Sequence, residues 1–364
     1  MSPFSNIDPA STIAVGMSGG VDSSVSAYLL HKAGFKVFGL FMKNWEEADE
    51  QGQCKAVKDQ EDAAKVCALL GIPFYTVNFT EEYYQEVFQD LLKGLQEGLT
   101  PNPDILCNKE IKFKLFLKKA LALGADYLAT GHYCQKIERE GSTFLAKGED
   151  PSKDQSYFVY TLKSQDLKHV IFPIGHLQKT QVRQIAKEAN LPTFAKKDST
   201  GICFIGKRNF KDFISQYIQP KKGPIQTLDG QTVGEHQGAI FYTLGQRKGL
   251  GIGGEGDAWF VVKKDVANNI LYVAQGQDHP SLYTCFLQAS MLCFVNTPLQ
   301  HLPFSCSAKI RYRQEDQPCV IEKIENDTIY VSFPTPQRAV TTGQSVVFYD
   351  KNICLGGGII KKTW

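Results

Sequence analysis

The pattern of hydrophobic positions in the first two hundred residues alternates between short apolar runs and longer segments with helical spacing. Buried strands are predicted by the apolar runs at residues 12–17, from residue 36, at 73–79 and at 126–133. Helices are predicted from residue 21 and at 59–70, 81–96, 110–121 and 180–189. Strands that alternate with helices are typical of an α/β fold with a doubly wound parallel sheet, where ligands bind at the carboxyl ends of the strands.

The pattern changes after about residue 208. A predicted amphipathic helix at 209–218 is followed by a glycine-rich stretch at 223–256, where Asp229 and Gly230 predict a hairpin turn. From residue 258 onward, short β runs separated by turns predict a small antiparallel β-barrel. These runs cover 259–262, 270–273, 307–313, 328–333 and 345–349. We therefore expect a sheet domain at 1–207, a small central domain at 208–275 and a C-terminal β-barrel domain at 276–364.

Length and composition agree with this division. A chain of 364 residues is longer than one hydrophobic core normally serves, so two or three domains are expected. Its 43% hydrophobic and 21% charged residues are typical of a globular protein. The net charge of +2 does not by itself indicate a nucleic-acid binder, so any such surface must be a local patch.

Neither a membrane protein nor a metal scaffold is expected. The first ten residues are polar and resemble no signal peptide, and no apolar run is long enough to span a bilayer. The ten cysteines include no Cys-x-x-Cys pair, which argues against a zinc ribbon, an iron–sulfur site or a secreted disulfide framework. We predict a reducing, cytoplasmic location without a metal site built by the protein.

The first candidate for chemistry is the segment SGGVDSS at residues 18–24, between the first predicted strand and helix. Two glycines let the backbone approach a ligand closely, and the amides at the start of the helix favour an anion. Ser18, Ser23 and Ser24 add hydroxyl groups. A Gly-Gly pair alone would indicate only a turn, but the whole segment predicts a phosphate or pyrophosphate site, and we call it the phosphate loop. It lacks the lysine of G-x-x-x-x-G-K-[ST] and the spacing of G-x-G-x-x-G.

Two cysteines lie in segments that suit reactive thiols. Prolines at 101 and 103 predict a loop at 100–109 that leads into the helix from residue 110, so Cys107 would lie beside a helix N-terminus, which stabilises a thiolate. Asp104 lies close enough in sequence to move a proton. Cys203 follows small polar residues that could expose it to a partner. For both cysteines a buried structural role is the alternative.

Three further features have both a functional and a structural interpretation. Met42, near the end of the second strand, could pack on an adenine or simply belong to the core. His132 could contact a phosphate or a base, or be a hydrogen-bonded structural residue. Alternation in a strand at 309–313 would place its three cationic side chains on one face, which suits a phosphate backbone but also the solvated face of a barrel. They are Lys309, Arg311 and Arg313.

The phosphate loop resembles the S-G-G-x-D-S-S loop of the ATP pyrophosphatase family, whose members cleave ATP between the α and β phosphates and adenylate a substrate oxygen. Four other motifs follow in order, NPD at 102–104 before Cys107, GHY at 131–133, KDQS at 153–156 and STGICF at 199–204. Together the set resembles the bacterial tRNA 2-thiouridylase family, from the N-terminus through the barrel. The resemblance implies an adenine nucleotide alpha hydrolase-like sheet.

The reaction implied by this resemblance is ATP-dependent 2-thiolation of the wobble uridine in the tRNA anticodon. The poor leaving oxygen at C2 is adenylated, and sulfur then displaces AMP to give 2-thiouridine, AMP and pyrophosphate. ATP, with Mg²⁺ as its counter-charge, is the implied cofactor. The implied ATP-binding residues are Gly16, Met17, Ser18, Gly19, Gly20, Val21, Asp22, Ser23, Met42 and Gly131.

The resemblance also assigns the sulfur chemistry and the RNA contacts. Cys203 carries sulfur as a persulfide, Cys107 attacks it as the nucleophile, and a Cys107–Cys203 disulfide is left for a cellular reductant. Asp104 is the acid/base, and it lies with Asn102 and Pro103 against the target base. The implied partners are the tRNA anticodon loop and a sulfur donor, either a cysteine desulfurase or a relay protein. Further implied tRNA contacts are His132, Lys153, Asp154, Gln155, Arg311, Tyr312 and Gln344.

Two other functions are compatible with parts of the sequence. Another ATP pyrophosphatase could deliver nitrogen, although no glutaminase module is recognisable and such an enzyme has no use for two thiols at loop edges. A non-catalytic RNA-binding protein could hold ATP as a structural ligand, but it would also have no need of paired thiols.

Overall fold

A five-stranded parallel sheet organises the N-terminal part of the computed structural model, which describes residues 4–46, 55–139, 141–198, 209–296, 299 and 301–364. The strand order is β3-β2-β1-β4-β7, and it reverses between β1 and β4. The strands are β1 (Thr12–Met17), β2 (Lys36–Lys43), β3 (Phe74–Asn78), β4 (Tyr127–Ala129) and β7 (Val170–Ile171). The parallel pairing confirms the predicted doubly wound α/β sheet.

Both faces of this sheet are covered, because alternate residues of its central strands enter two different cores. Ile13 and Val15 pack with helices α1 (Val21–Lys32), α2 (Lys55–Leu70) and α9 (Lys179–Glu188). Ala14 packs on the opposite face, under two longer helical segments. A strand buried on both faces favours a continuous apolar run, which is why the pattern predicted these strands.

Each of the two longer helical segments contains a stretch of wider π-helical turns. The first runs through α3 (Thr80–Tyr83), a π segment (Tyr84–Phe88) and α4 (Gln89–Gln96). The second runs through α5 (Pro103–Leu106), a π segment (Cys107–Phe116) and α6 (Leu117–Ala122).

The predicted loop at 100–109 is therefore wrong after residue 102, because the second helical segment begins at Pro103. Proline is well suited to the first helical position, where its missing N–H breaks no helical hydrogen bond. The Asn102 side chain accepts a hydrogen bond from the Asp104 amide at 3.2 Å and caps the helix. Cys107 consequently lies inside the helix, one turn beyond its start.

A hairpin that the hydrophobic pattern did not predict joins the sheet domain to the barrel. It consists of β5 (Cys134–Arg139) and β6 (Ser142–Lys147). Strand β6 pairs with the last barrel strand, with Leu145 opposite Cys354 and Ala146 opposite Ile353. Two short helices follow, α7 (Ser156–Val159) and α8 (Ser164–Leu167).

A four-stranded sheet of order β10-β11-β8-β9 forms the central part, after the short helix α10 (Phe210–Ile214). Its strands are β8 (Gly223–Gln226), β9 (Thr232–His236), β10 (Trp259–Asp265) and β11 (Ile270–Gln275). The predicted hairpin turn at Asp229 and Gly230 joins β8 to β9. The runs at 259–262 and 270–273 belong to this sheet and not to the barrel pattern in which we placed them.

Six antiparallel strands close the C-terminal barrel in the order β12-β15-β14-β13-β16-β17, with β12 also paired to β17. They are β12 (Tyr283–Phe294), β13 (Phe304–Lys309), β14 (Gln317–Glu325), β15 (Thr328–Arg338), β16 (Ser345–Asp350) and β17 (Ile353–Thr363). Apolar side chains such as Leu287, Ile321 and Val346 fill the interior. The predicted antiparallel barrel is confirmed.

Candidate nucleotide and thiol site

The phosphate loop is held by its own hydroxyl groups. The Ser23 hydroxyl accepts a hydrogen bond from the Ser18 amide at 3.1 Å, and the Ser18 hydroxyl accepts one from the Gly20 amide at 3.3 Å. The Ser24 hydroxyl donates to the Gly20 carbonyl at 2.8 Å. Gly20 precedes α1 without a capping side chain, so the first amides of the helix can serve an anionic ligand.

Two glycines allow neighbouring elements to touch this loop. Gly19 has φ +70°, and a Cβ on it would lie 2.2 Å from the Asp59 carbonyl oxygen of α2. A Cβ on Gly131, just beyond β4, would lie 2.8 Å from the Ser23 amide nitrogen. Any larger residue at either position would displace the loop. Residues 16–23 and Gly131 thus meet at the carboxyl edge of the sheet, and Met42 lies half-buried near the end of the adjacent β2.

A buried lysine that the sequence reasoning missed lies beside the loop. Lys179, 8% exposed, bonds both carboxylate oxygens of Asp22 at 2.7 and 2.8 Å. The Tyr133 hydroxyl donates to the same Asp22 carboxylate at 2.8 Å. A lysine in the first turn of a helix opposes the usual preference for acidic residues there, and this was the one local signal that could have identified Lys179.

Three cations surround the carboxylate of Asp198, which the sequence reasoning also missed. Lys153 Nζ lies 2.8 Å from it, Lys179 Nζ 2.9 Å and Arg183 Nη2 2.7 Å. Burial by itself would raise the pKa of Asp198, but hydrogen bonds from Lys153 and Lys179 outweigh it and lower the pKa to about 2. Beside the phosphate loop, these three cations share two carboxylates, those of Asp198 and Asp22, which leaves one positive charge in excess.

The candidate nucleophile and acid lie on one helix. Cys107 is 2% exposed, and its Sγ lies 4.0 Å from the side-chain Nδ2 of Asn44, a residue just beyond the end of β2. Asp104 is one turn earlier and partly exposed. Burial raises the pKa of Asp104, and the nearby charge of Lys112 opposes this rise. A carboxyl group with a raised pKa holds a proton more readily near neutral pH, as an acid/base residue requires.

Cys203 lies outside the described residues, in the stretch 199–208. The assignments of the persulfide and of a Cys107–Cys203 disulfide therefore remain predictions.

The predicted tRNA contacts at 153–155 have internal partners. Asp154 is 5% exposed, and its Oδ1 accepts hydrogen bonds from the Gly148 and Ser156 amides, both at 3.1 Å. The Gln155 side-chain oxygen accepts from the Tyr133 amide at 3.0 Å. The Asp154 and Gln155 side chains thus hold the segment 153–155 in place, and Lys153 links this segment to Asp198.

His132 is likewise packed inside the protein. It is 9% exposed, and its Nδ1 lies 2.8 Å from the Thr130 hydroxyl. Burial, and secondarily the charge of Lys112, hold its pKa well below the usual histidine value, so the ring is neutral. The structure matches the structural interpretation of this histidine, and its contact with tRNA stays a prediction.

The predicted cationic strip at 309–313 is wrong, because β13 ends at Lys309 and the alternation of a strand stops there. Lys309 lies 3.5 Å from Asp154 and 3.7 Å from Asp316. Arg311 points inward and donates to the Leu244 carbonyl and the Thr341 hydroxyl, both at 3.1 Å, and to the Ala339 carbonyl. Arg311 therefore links central and barrel segments.

Two other predicted tRNA contacts also join domains. The Tyr312 ring packs against Phe158, with 4.3 Å between centroids. The Gln344 side chain donates to the Thr100 carbonyl at 2.6 Å. Their contact with RNA remains a prediction.

Comparison with known proteins identifies the family. Three domain-family models match, the tRNA methyl transferase HUP domain at 11–207, its PRC-barrel domain at 211–275 and the aminomethyltransferase beta-barrel domain at 284–360. The tRNA-specific 2-thiouridylase MnmA of Protochlamydia amoebophila is 58% identical over 353 residues, which cover 96% of this chain and 93% of that protein. The protein of the same name from Halalkalibacterium halodurans is 54% identical over 348 residues, with coverage of 96% and 94%. The chain belongs to the tRNA-specific 2-thiouridylase family.

A solved structure of the U34-tRNA thiolase NcsA from Methanococcus maripaludis overlaps only in part. Its sequence identity is 19% and the TM-score is 0.36, over 57% of this chain and 66% of that chain.

In a protein of this family, the phosphate loop is where ATP and its Mg²⁺ ion would be held. The Asp22 carboxylate of the phosphate loop is an oxygen ligand of the kind that Mg²⁺ prefers. In the parts of the chain that the structure describes, no cluster of three or more His, Cys, Asp or Glu side chains could hold a metal alone. The described residues therefore fit a Mg²⁺ ion that would be held mainly by the phosphates of ATP, and Asp22, which contacts Lys179 and Tyr133, would be the carboxylate of the phosphate loop nearest to it.

Of the helices within the described ranges, none combines the length and apolar character needed to cross a bilayer.

Proposed function

We infer that this protein is a tRNA-uridine 2-sulfurtransferase, which uses ATP to thiolate the wobble uridine of the tRNA anticodon at C2. One observation supports this most strongly: the phosphate loop after β1 and the helix that carries Asp104 and Cys107, beside the end of β2, lie at the same edge of one sheet in a member of this family. A methyl transfer, which the names of the domain-family models suggest, needs no phosphate loop.

The loop serves the activation half of the reaction. Its amides and hydroxyls hold the pyrophosphate end of ATP, and Lys179, Lys153 and Arg183 add positive charge where pyrophosphate leaves. Mg²⁺ supplies further charge neutralisation when ATP is bound. The uridine C2 oxygen attacks the α-phosphorus, so the poor leaving oxygen becomes part of AMP.

The thiols serve the transfer half. Cys203 receives sulfur as a persulfide, and the Cys107 thiolate attacks its inner sulfur. This forms a Cys107–Cys203 disulfide and releases the terminal sulfur as sulfide, which displaces AMP at C2. A dithiol reductant then returns two electrons to the disulfide. Asp104 moves the accompanying proton, and its raised pKa supports that role.

The partners follow from this chemistry. The substrate is a tRNA anticodon loop, where the target base can leave its stack more easily than in a duplex. A cysteine desulfurase or a sulfur-relay protein charges Cys203. We also propose domain boundaries at 207/208 and 275/276, the tRNA contacts named above and a reducing cytoplasmic location.

The direct test is nucleoside analysis of tRNA from cells that lack the protein. We expect 2-thiouridine to disappear and to return with the wild-type gene. In vitro, Cys107→Ser should reduce 2-thiouridine formation by a protein sulfur donor more than 100-fold. Cys285→Ser, which changes a partly exposed cysteine of β12, should leave the rate within two-fold.

Four results would contradict the proposal. An unchanged 2-thiouridine content in the deletion strain would exclude the activity, and full activity of Cys107→Ser would exclude the assigned nucleophile. Pyrophosphate release that responds to ammonia, and not to a persulfide donor, would instead indicate a nitrogen-transferring synthetase. No tRNA-dependent pyrophosphate release at all would indicate a non-catalytic RNA-binding protein.

A further inference from the structure

Thr100 is held by the barrel, and it lies two residues before Asn102, the cap of the helix that carries Asp104 and Cys107, which we call the catalytic helix. The Thr100 amide donates to the Thr342 carbonyl at 3.0 Å, and its carbonyl accepts from the Gln344 side chain at 2.6 Å. A Cβ on Gly343, which has φ +88°, would lie 2.7 Å from the Thr100 nitrogen. The barrel backbone is therefore packed directly against this residue.

The central sheet holds the same point from another side. Lys264, on β10, directs its Nζ to the Thr100 hydroxyl at 3.3 Å and to the Leu99 carbonyl at 3.4 Å. Val266 follows, and its Cγ2 lies 2.9 Å from where a Cβ on Gly98 would be. Residues 98–100 are thus the place where all three parts of the chain meet.

Lys264 makes an unusual set of contacts for a lysine. Within the described ranges it forms no ion pair with a carboxylate, and burial lowers its pKa to about 8. Desolvating an ammonium group costs stability unless hydrogen bonds compensate. Its hydrogen bonds to Leu99 and Thr100 compensate part of this cost, and they also tie β10 to residues 99 and 100.

The effect of these contacts reaches the catalytic helix over a short distance. Pro101 packs on Gly94, with its Cγ 2.4 Å from the position of an added Cβ, and Asn102 then caps the helix that carries Asp104 and Cys107. Both residues between Thr100 and the helix start at Pro103 are thus restrained. A shift of Thr100 moves the helix start, and misplacement by about 1 Å can cost roughly 100-fold in rate.

We propose that Lys264 is a positioning residue for thiolation: it fixes Thr100 from the central sheet while Gln344 fixes it from the barrel, and so sets the position of residues 102–107 against the target uridine. This inference rests on the proposed function. The Lys264 side chain contacts Leu99 and Thr100, and it acts through the start of the helix.

The test compares two lysines that are adjacent on β10. Lys264→Met should lower kcat for tRNA thiolation at least 10-fold and leave KM for tRNA within two-fold, because positioning affects the reacting geometry and not the RNA surface. Lys263→Met, whose amine lies over the Tyr272 ring 5.2 Å from its centroid, should leave both unchanged. Lys264→Arg retains a charged donor and should recover most of the rate.

A second variant keeps the inference testable if Lys264→Met folds poorly. Thr100→Val removes the hydroxyl acceptor and preserves side-chain shape and backbone contacts. It should lower kcat several-fold, and the double variant should be no slower than Lys264→Met alone, as expected for one shared contact.

The inference is overturned if Lys264→Met raises only KM for tRNA, which would make it an RNA contact, or if it matches Lys263→Met. Additive losses in the double variant would also contradict it. If the wild-type protein forms no 2-thiouridine with ATP, tRNA and a sulfur donor, the proposed function fails, which is a distinct result.

Discussion

Among individual residues, Lys179 carries the clearest consequence for nucleotide binding. Its ammonium group contacts the carboxylates of both Asp22 and Asp198, and Asp22 belongs to the phosphate loop. Without Lys179, Asp198 would keep Lys153 and Arg183 as partners, but the negative charge of Asp22 would lose its cation. The position of one side chain thus decides whether the loop is electrostatically suited to pyrophosphate.

We expect Lys179→Met to raise KM for ATP at least 10-fold, which corresponds to about 1.4 kcal/mol of binding free energy. The measurement is tRNA-dependent pyrophosphate release at varied ATP concentration. Lys187→Met, at an exposed position of the same helix, is the matched control and should behave as wild type. An unchanged KM for ATP in Lys179→Met would remove this lysine from the nucleotide site.

At the scale of elements, the important contact is between the phosphate loop and α2. Gly19 combines a left-handed backbone with a close approach to the Asp59 carbonyl, so it has two separate reasons to be glycine. Gly34, just beyond the end of α1, has φ +90° and open space around it. Comparing Gly19 with Gly34 therefore separates the cost of a left-handed backbone from the cost of a Cβ that collides with the Asp59 carbonyl.

Gly34→Ala should lower the free energy of unfolding by about 1–2 kcal/mol, the cost of a left-handed conformation for a residue with a Cβ. Its thiolation activity should stay within two-fold of wild type. Gly19→Ala carries the same conformational cost plus the collision, so we expect ATP-dependent activity to fall more than 100-fold. Chemical denaturation and the thiolation assay measure the two effects, and equal activities of the two variants would show that α2 does not shape the loop.

At the scale of the whole molecule, the sheet domain and the barrel share buried contacts. Tyr349, fully buried on β16, has its hydroxyl 3.2 Å from that of Ser156 at the start of α7. The Tyr157 hydroxyl donates to the Ser345 carbonyl at 2.9 Å. Together with the pairing of β6 to β17, these contacts make the barrel a support for the loop that carries Lys153.

We therefore expect the sheet domain and the barrel to unfold in one cooperative transition. Tyr349→Ala should lower stability by about 3–5 kcal/mol, the usual cost of removing a buried aromatic ring, and should weaken ATP binding as well. Tyr330→Ala, at a half-buried position on β15 under Lys323, is the control with a smaller effect. Two separate calorimetric transitions, with only one moved by Tyr349→Ala, would show independent domains.

Local patterns were sufficient for the parallel sheet, the barrel and the residues of the phosphate loop. Apolar runs, turn residues and helical spacing depend on residues that are close in sequence, so the sequence alone is enough to recognise them. The loop motif works in the same way, because a strand, two glycines and a helix N-terminus are consecutive in sequence. The predicted loop at 100–109 was wrong all the same. Its prolines were expected to exclude a helix, whereas Pro103 is the first residue of the helix that carries Asp104 and Cys107.

Tertiary structure alone decided the contacts between distant parts of the chain. Lys179 meets Asp22 across a separation of 157 residues, and Gln344 meets Thr100 across 244. Arg311 does not belong to a cationic strip, because β13 ends before it and its guanidinium group donates to the Leu244 and Ala339 carbonyls of other segments. Sequence determined which chemistry the loop and the thiols could perform. Packing of distant segments within the sheet domain determined which charges surround that chemistry, because long-range pairing depends on the folded positions of all the elements at once.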